Sequence, residues 1–232
     1  SLAQSLDAQR RDRQVRACLA HLQKLPYGDL RLFTTSLAMQ DLEAVRQALG
    51  AKQINLIGVS YGTRAALEYL RQFPHAVRRT VIDSVAPPDM ALPASVSMDS
   101  QAALDALLLA CERDASCQRR YPSLRQDWAT TLASLPRAIE VTQPMTGATE
   151  TVTLTREGLL GAVRGPLYVP VLSSALSYAI TQAAKGKFDP ILGIGRLMAA
   201  HGRQRPALGM HLSVVCAEEM PRLGRNADSN GV

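Results

Sequence analysis

Hydrophobic and polar positions change rhythm within the short stretch 53–73. Ile54, Leu56, Ile57 and Val59 form a compact apolar run rich in β-branched residues, the pattern of a buried strand. Ala65, Ala66, Leu67, Leu70 and Phe73 then recur at helical spacing on one face, and Pro74 stops that helix. Upstream, residues 4–24 place Leu6, Val15, Cys18, Leu19 and Leu22 broadly on one side of a helix, which Pro26, Tyr27 and Gly28 break. Thr34, Thr35 and Ser36 precede a second helix striped by Leu37, Leu42, Val45 and Leu49; Asp41 and Glu43 favour its early turns and Gly50 ends it. Downstream, residues 77–84 read as the next parallel strand, so strand, helix and strand make a βαβ unit.

The character changes at Val85, Ala86, Pro87, Pro88 and Asp89. Helical patterns follow at 99–113, 123–135, 156–164, 171–185 and 190–201, interrupted by an alternating piece, 139–155, that reads as a hairpin broken by Pro144 and Gly147. An α-rich insertion after a core strand has the form of a lid over an α/β active site; a separate helical domain would have the same pattern. His211 to Cys216 returns to a strand-like run that ends in Ala217, Glu218 and Glu219. The expected organisation is a partial parallel-sheet α/β core over 1–89, a helical cap with a β-hairpin over 90–209, and a return to a core strand over 210–232.

Between the central strand and its helix lies Gly58-x-Ser60-x-Gly62. A serine on a strand-to-helix turn, with glycine where the turn leaves no room for a side chain, is pushed out above the sheet, and the helix N-terminus offers N–H groups to a developing oxyanion. The arrangement is that of a nucleophile elbow, with Ser60 as nucleophile and the Tyr61 backbone N–H as half of an oxyanion hole. A three-residue motif alone is weak; its placement between a strand run and a helix run gives it weight.

Composition removes several alternatives. Aromatic residues are only 4% of the 232, which argues against a stacking platform for nucleic acid. The net charge of +6 is scattered, and its densest cluster, Arg10-Arg11-Asp12-Arg13, holds an acid, so it reads as a solvated face. No apolar run reaches the roughly 18 residues of a membrane span. No signal-peptide pattern opens the chain, which begins at Ser1 rather than Met, so a leader upstream is compatible with the sequence. Among the four cysteines, Cys111 and Cys117 flank a short polar loop and can close a small disulfide ring, which favours an oxidising compartment. Cys18 lies on a helix, and Cys216, in the expected strand, reads as a buried reduced thiol. No cysteine–histidine spacing suits a metal, and no cofactor motif is present.

The elbow and following helix (54–74), the preceding Thr34-Thr35 with 41–46, the segment 81–89 and the segment 212–219 together resemble the secreted tripeptidyl aminopeptidase and proline iminopeptidase-like branch of the α/β-hydrolases. The resemblance implies an α/β-hydrolase core, a periplasmic or secreted enzyme, and a peptide or small ester or amide substrate. It also implies that Glu218, and after it Glu219, bind the free N-terminus of a peptide. Members of that branch carry strands and an oxyanion loop ahead of the region matching residue 1, and a triad Asp and His beyond the region matching Glu219. The resemblance therefore implies an internal fragment, or a truncated product, of a longer hydrolase.

A triad in this fold runs Ser, acid, His along the chain. His21 precedes the serine, His75 lies at the far end of the elbow helix, His201 ends a cap helix and His211 precedes a strand-like run, so each reads as structural or solvated. Asp83 reads as a turn-capping carboxylate. The elbow does not choose amide over ester, and a hydrolase-derived fragment that binds without turnover is the second class the sequence leaves open.

Overall fold

Seen in a computed structural model that describes residues 8–142, 146–201 and 207–223, the chain forms two compact units, one of residues 17–95 and 206–227 and the other of 1–16, 96–205 and 228–232. Leu6, Pro144, Gly202 and the polar run 224–232 lie outside the described residues.

The first unit contains the rhythm change noted above. Helices α1 (Ala8–Leu22) and α2 (Thr35–Ala48) precede strand β1 (Ile54–Val59), helix α3 (Tyr61–Gln72) and strand β2 (Val77–Asp83). β1 and β2 pair in parallel, with Gly58 opposite Ile82 and Val59 opposite Asp83. The Thr34 side chain accepts the Leu37 N–H to start α2, and Gly50, at φ +66°, leaves the helix where a side chain would be strained. Met39, Tyr69 and Ala76 form the buried centre, against which Ala38, Leu42, Ile54 and Leu56 pack.

Both helices are rotated from their apolar stripes. In α2 the buried side chains are Thr35, Met39 and Glu43, while Val45 and Leu49 are exposed. In α3 they are Thr63, Arg64, Ala66 and Tyr69 rather than the predicted row through Leu67 and Leu70. The burial of these polar side chains is tolerated because each finds at least one partner, although Arg64 Nε is left without one. The Tyr69 hydroxyl donates to Glu43 Oε2 at 2.7 Å, and Arg46 and Gln47 donate to the same carboxylate. β1 is not the fully buried strand its composition suggests: Ile54 and Leu56 face the helices, and Ile57 and Val59, on the opposite face by the two-residue period, are exposed with Val81.

Hydrogen bonds from Arg46 first, then from Tyr69 and Gln47, hold the Glu43 carboxyl down at about 2 against an ordinary 4.5. A lowered folded-state value means that this contribution is complete above about pH 4.5 and is lost as the pH falls towards 2. The urea midpoint should fall through that window, and less steeply in Glu43→Gln. Equal acid slopes for the two proteins would contradict this role of Glu43.

The segment 208–219 corrects the sequence reading. His211 to Cys216 is not a strand: α11 (Leu208–Val214) is helical and continues as one wide turn of π-helix, Val215–Glu219. A strand needs a neighbour to accept its amide hydrogens, whereas the helix satisfies them within the segment and turns Ser213 and Val214 inward. Cys216 is accordingly exposed and free, as is Cys18.

The second unit has its own core. Strands β3 (Arg137–Thr142) and β4 (Thr149–Leu154) pair antiparallel, and their alternate residues Ile139, Val141, Val152 and Leu154 are buried. Leu104 and Leu108 of α4 (Leu92–Arg113), Trp128 of α6 (Leu124–Ala133) and Val163 of α7 (Arg156–Leu167) join that core. So do Ile180 of α9 (Leu176–Ala184) and Ile191 of α10 (Asp189–His201). The helix expected over 171–185 is split into α8 (Pro170–Ser173) and α9, and a short α5 (Ala115–Arg120), capped by Asp114, was not foreseen. Cys111 and Cys117 are joined across the α4–α5 turn, with Cα atoms 5.1 Å apart.

Candidate active site

Ser60 sits between β1 and α3 with φ 55° and ψ −122°, a conformation that costs a non-glycine residue about 1–3 kcal/mol. The surroundings hold it there. Its N–H donates to Asp83 O of the neighbouring strand, and its carbonyl accepts from Thr63 N and Thr63 Oγ1 at 3.0 and 2.7 Å. Thr63 Oγ1, fully buried, in turn accepts from Ala86 N. The serine side chain is left exposed at the start of a helix whose first residue is Tyr61.

The two glycines of the motif are not equivalent. A Cβ on Gly58 would lie 2.4 Å from Gly62 O and 2.7 Å from Gly62 C, so the turn closes directly onto residue 58. A Cβ on Gly62 would meet nothing within 4 Å. The expectation that a tight turn requires both glycines therefore holds for Gly58 alone among the described surroundings.

Sequence reasoning singled out Glu218 and Glu219 together, and the structure separates them. Glu219 is fully buried; its Oε1 pairs with Arg64 Nη1 at 2.8 Å and its Oε2 accepts the Leu92 N–H at 2.8 Å. Arg64 also donates to Pro87 O and Met90 O. The pair therefore ties the elbow helix to segment 87–92 and to the π-helical turn, and Glu219 has no oxygen facing open solvent. Glu218 is half-buried: its Oε1 accepts the Thr35 N–H at 2.5 Å and its Oε2 accepts from Thr35 Oγ1 at 2.9 Å. Thr35 Oγ1 is also 2.6 Å from the Tyr61 hydroxyl.

Glu218 lines a cleft of about 420 Å³ with Thr34, Thr35, Ser36, Arg64, Glu68, Pro88, Ala217, Pro221 and Arg222. The second carboxylate, Glu68, is held at about 2, below its usual range, first by its hydrogen bond with Arg71, with Ser36 and Gln72 adding to it. The Arg222 guanidinium donates to Pro88 O. The cleft can thus present carboxylate to a cation.

No histidine among the described side chains is hydrogen-bonded to Ser60, and the His201 side chain lies outside the described set. The Asp83 carboxylate accepts from its neighbour Ser84 Oγ at 3.3 Å. Among the described residues no cluster of three or more His, Cys, Asp or Glu side chains could hold a metal ion, and no helix is long and apolar enough to cross a membrane. Sequence reasoning missed Arg64 and the role of the Thr35 side chain. Helical periodicity carried no signal for the first, because Arg64 lies off the row of Ala66, Leu70 and Phe73.

Part of the chain is similar to known proteins. Residues 33–118 match the model of a family described as alpha/beta hydrolase fold. The chain is 49% identical over 55 residues to a tripeptidyl aminopeptidase of Streptomyces lividans, covering 24% of this chain and 10% of that protein. It is 46% identical over 48 residues to the putative hydrolase YuaR of Escherichia coli (strain K12), covering 21% and 10%. It is 40% identical over 50 residues to the serine protease Hip1 of Mycobacterium tuberculosis (strain ATCC 25618 / H37Rv), covering 22% and 10%. The aligned segment spans about a tenth of the length of these relatives. The matches support the α/β-hydrolase superfamily, and the small parallel sheet with helices agrees with part of that fold.

Proposed function

We propose that this chain carries the nucleophile and the N-terminus-binding carboxylate of a serine hydrolase that removes residues or short peptides from the free amino end of a peptide. The observation that carries the reading is Ser60, an exposed hydroxyl on a left-handed turn between a parallel strand and a helix, closed by Gly58. The names of the relatives, an aminopeptidase and a serine protease, support the peptidase choice over an esterase of the same fold.

In this reading Ser60 Oγ attacks the scissile carbonyl carbon, and the Tyr61 N–H at the start of α3 stabilises the oxyanion. The C–N bond then breaks, the amine leaves with the serine proton, and water releases the acyl group. The proton must pass through a base, and among the described residues no histidine is hydrogen-bonded to Ser60 to serve as one. Glu218, in the cleft, takes the substrate ammonium; Glu219, already paired with Arg64, does not. The Cys111–Cys117 bridge supports a periplasmic or secreted location.

Imidazole buffer supplies a base in solution, so the reading is testable on this chain. An aminoalkylphosphonate diphenyl ester phosphonylates a serine: the Oγ–P bond forms, a P–O bond breaks and phenol leaves. The probe with a free amine should half-saturate at about a tenth or less of the concentration its N-acetyl counterpart needs, the span of one charge-assisted hydrogen bond. Glu218→Gln should remove that preference. Equal half-saturation for the two probes would favour an esterase without an amine site.

A further inference from the structure

The Thr35 hydroxyl lies between the residue proposed to hold the substrate ammonium and the residue proposed to supply the oxyanion donor. It has one proton, and that proton goes to Glu218 Oε2 at 2.9 Å. The 2.6 Å contact with Tyr61 must then be a donation from the Tyr61 hydroxyl to Thr35 Oγ1. The result is an ordered chain, Tyr61 O–H to Thr35 O–H to the Glu218 carboxylate, with the Thr35 N–H fixing the other carboxylate oxygen. Thr35 is 2% exposed, so water does not compete for its hydroxyl. Tyr61 follows Ser60 directly, so its ring and the N–H proposed as the oxyanion donor belong to one residue.

We infer that Thr35 is a positioning residue that couples occupancy of Glu218 by a substrate ammonium to the placement of the Tyr61 N–H beside Ser60. This rests on the amine-binding reading of Glu218. An ammonium arriving at Glu218 draws on the carboxylate lone pairs that Thr35 now uses, and the Thr35–Tyr61 bond adjusts in response. A blocked N-terminus leaves the chain unchanged. The amine is thereby read twice, once as affinity and once as the geometry of the elbow. The same chain explains why a threonine opens α2 one position beyond the residue whose side chain caps it: Thr34 caps the helix and Thr35 serves the relay.

The test uses the amine-bearing and N-acetylated phosphonates in imidazole buffer, with the saturating labelling rate separated from the half-saturating concentration. In the unsubstituted chain both quantities should favour the free amine, the saturating rate by about 3- to 10-fold, the range of one neutral hydrogen bond. Thr35→Val keeps the shape and the backbone N–H but removes the relay. It should retain the preference in half-saturation and lose the preference in rate, and Thr35→Ser should restore it. Tyr61→Phe, which removes only the hydroxyl bonded to Thr35, should reproduce the Thr35→Val result even if the valine variant folds poorly. A rate preference that survives in Tyr61→Phe or Thr35→Val, or one that Thr35→Ser fails to restore, overturns the inference while leaving the amine site standing. No preference in half-saturation in the unsubstituted chain overturns the amine site itself, and this inference with it.

Discussion

Replacing Glu219 by glutamine should destabilise the unit of residues 17–95 and 206–227 by about 3–5 kcal/mol, the range for removing one partner of a buried ion pair. The side chains of Arg64 and Glu219 are 4% and 1% exposed, so neither charge has water to turn to when the other is removed. Glutamine keeps the volume and can still accept from Leu92 N, which isolates the charge from the packing. Arg64 is already incompletely satisfied, since its buried Nε has no hydrogen-bond partner, so the loss of the carboxylate is not absorbed locally. Arg64→Met should also cost several kcal/mol, because the buried Glu219 carboxyl group then keeps only the Leu92 N–H as a partner. The double variant Arg64→Met/Glu219→Gln should cost less than the sum of the two single changes, with a remainder for the carbonyls of Pro87 and Met90. Urea unfolding of the four proteins measures this. A Glu219→Gln change within about 0.5 kcal/mol of the parent would mean that the pair is not held out of water.

The second large effect separates the two glycines of the elbow. Gly58→Ala should cost about 3 kcal/mol or more, because the new methyl carbon meets the backbone of Gly62 at 2.4 Å, and backbone on both sides is fixed by the β1–β2 pairing and the start of α3. Gly62→Ala meets nothing, lies inside α3 and should be neutral or stabilising by up to about 1 kcal/mol. Similar costs at the two positions, read from denaturant midpoints, would contradict the assignment of the close approach to residue 58.

The elbow was legible in the sequence because its signals are local and agree: a β-branched run, a Gly-x-Ser-x-Gly turn, a helical stripe and a proline stop lie within residues 53–74. What was not legible depended on partners distant in the chain. Arg64 and Glu219 are 155 residues apart, and periodicity assigns each to solvent until the other is seen. The rotation of α2 has the same cause, since Glu43 turns inward only because Tyr69 and Arg46 meet it there. Val214-Val215 misled in a different way. Two adjacent β-branched residues in a short apolar run fit a strand or a buried helix equally well, and the helix gives its own amides their acceptors. The ranking of Glu218 before Glu219 came from a resemblance, and what the sequence could not show is that successive residues of a helical turn point about 100° apart, one here towards the cleft and the other into the interior.

Ser60 is the proposed nucleophile, and among the described residues no histidine is hydrogen-bonded to it. Incubating the chain with a fluorophosphonate, with and without imidazole, and mapping the modified peptide by mass spectrometry tests it most directly. Modification should be confined to Ser60, slow in buffer alone and faster in proportion to added imidazole, with none in Ser60→Ala. Modification spread over other hydroxyls, with Ser60 no more reactive than they are, would contradict it; fast stoichiometric labelling without imidazole would contradict the missing base.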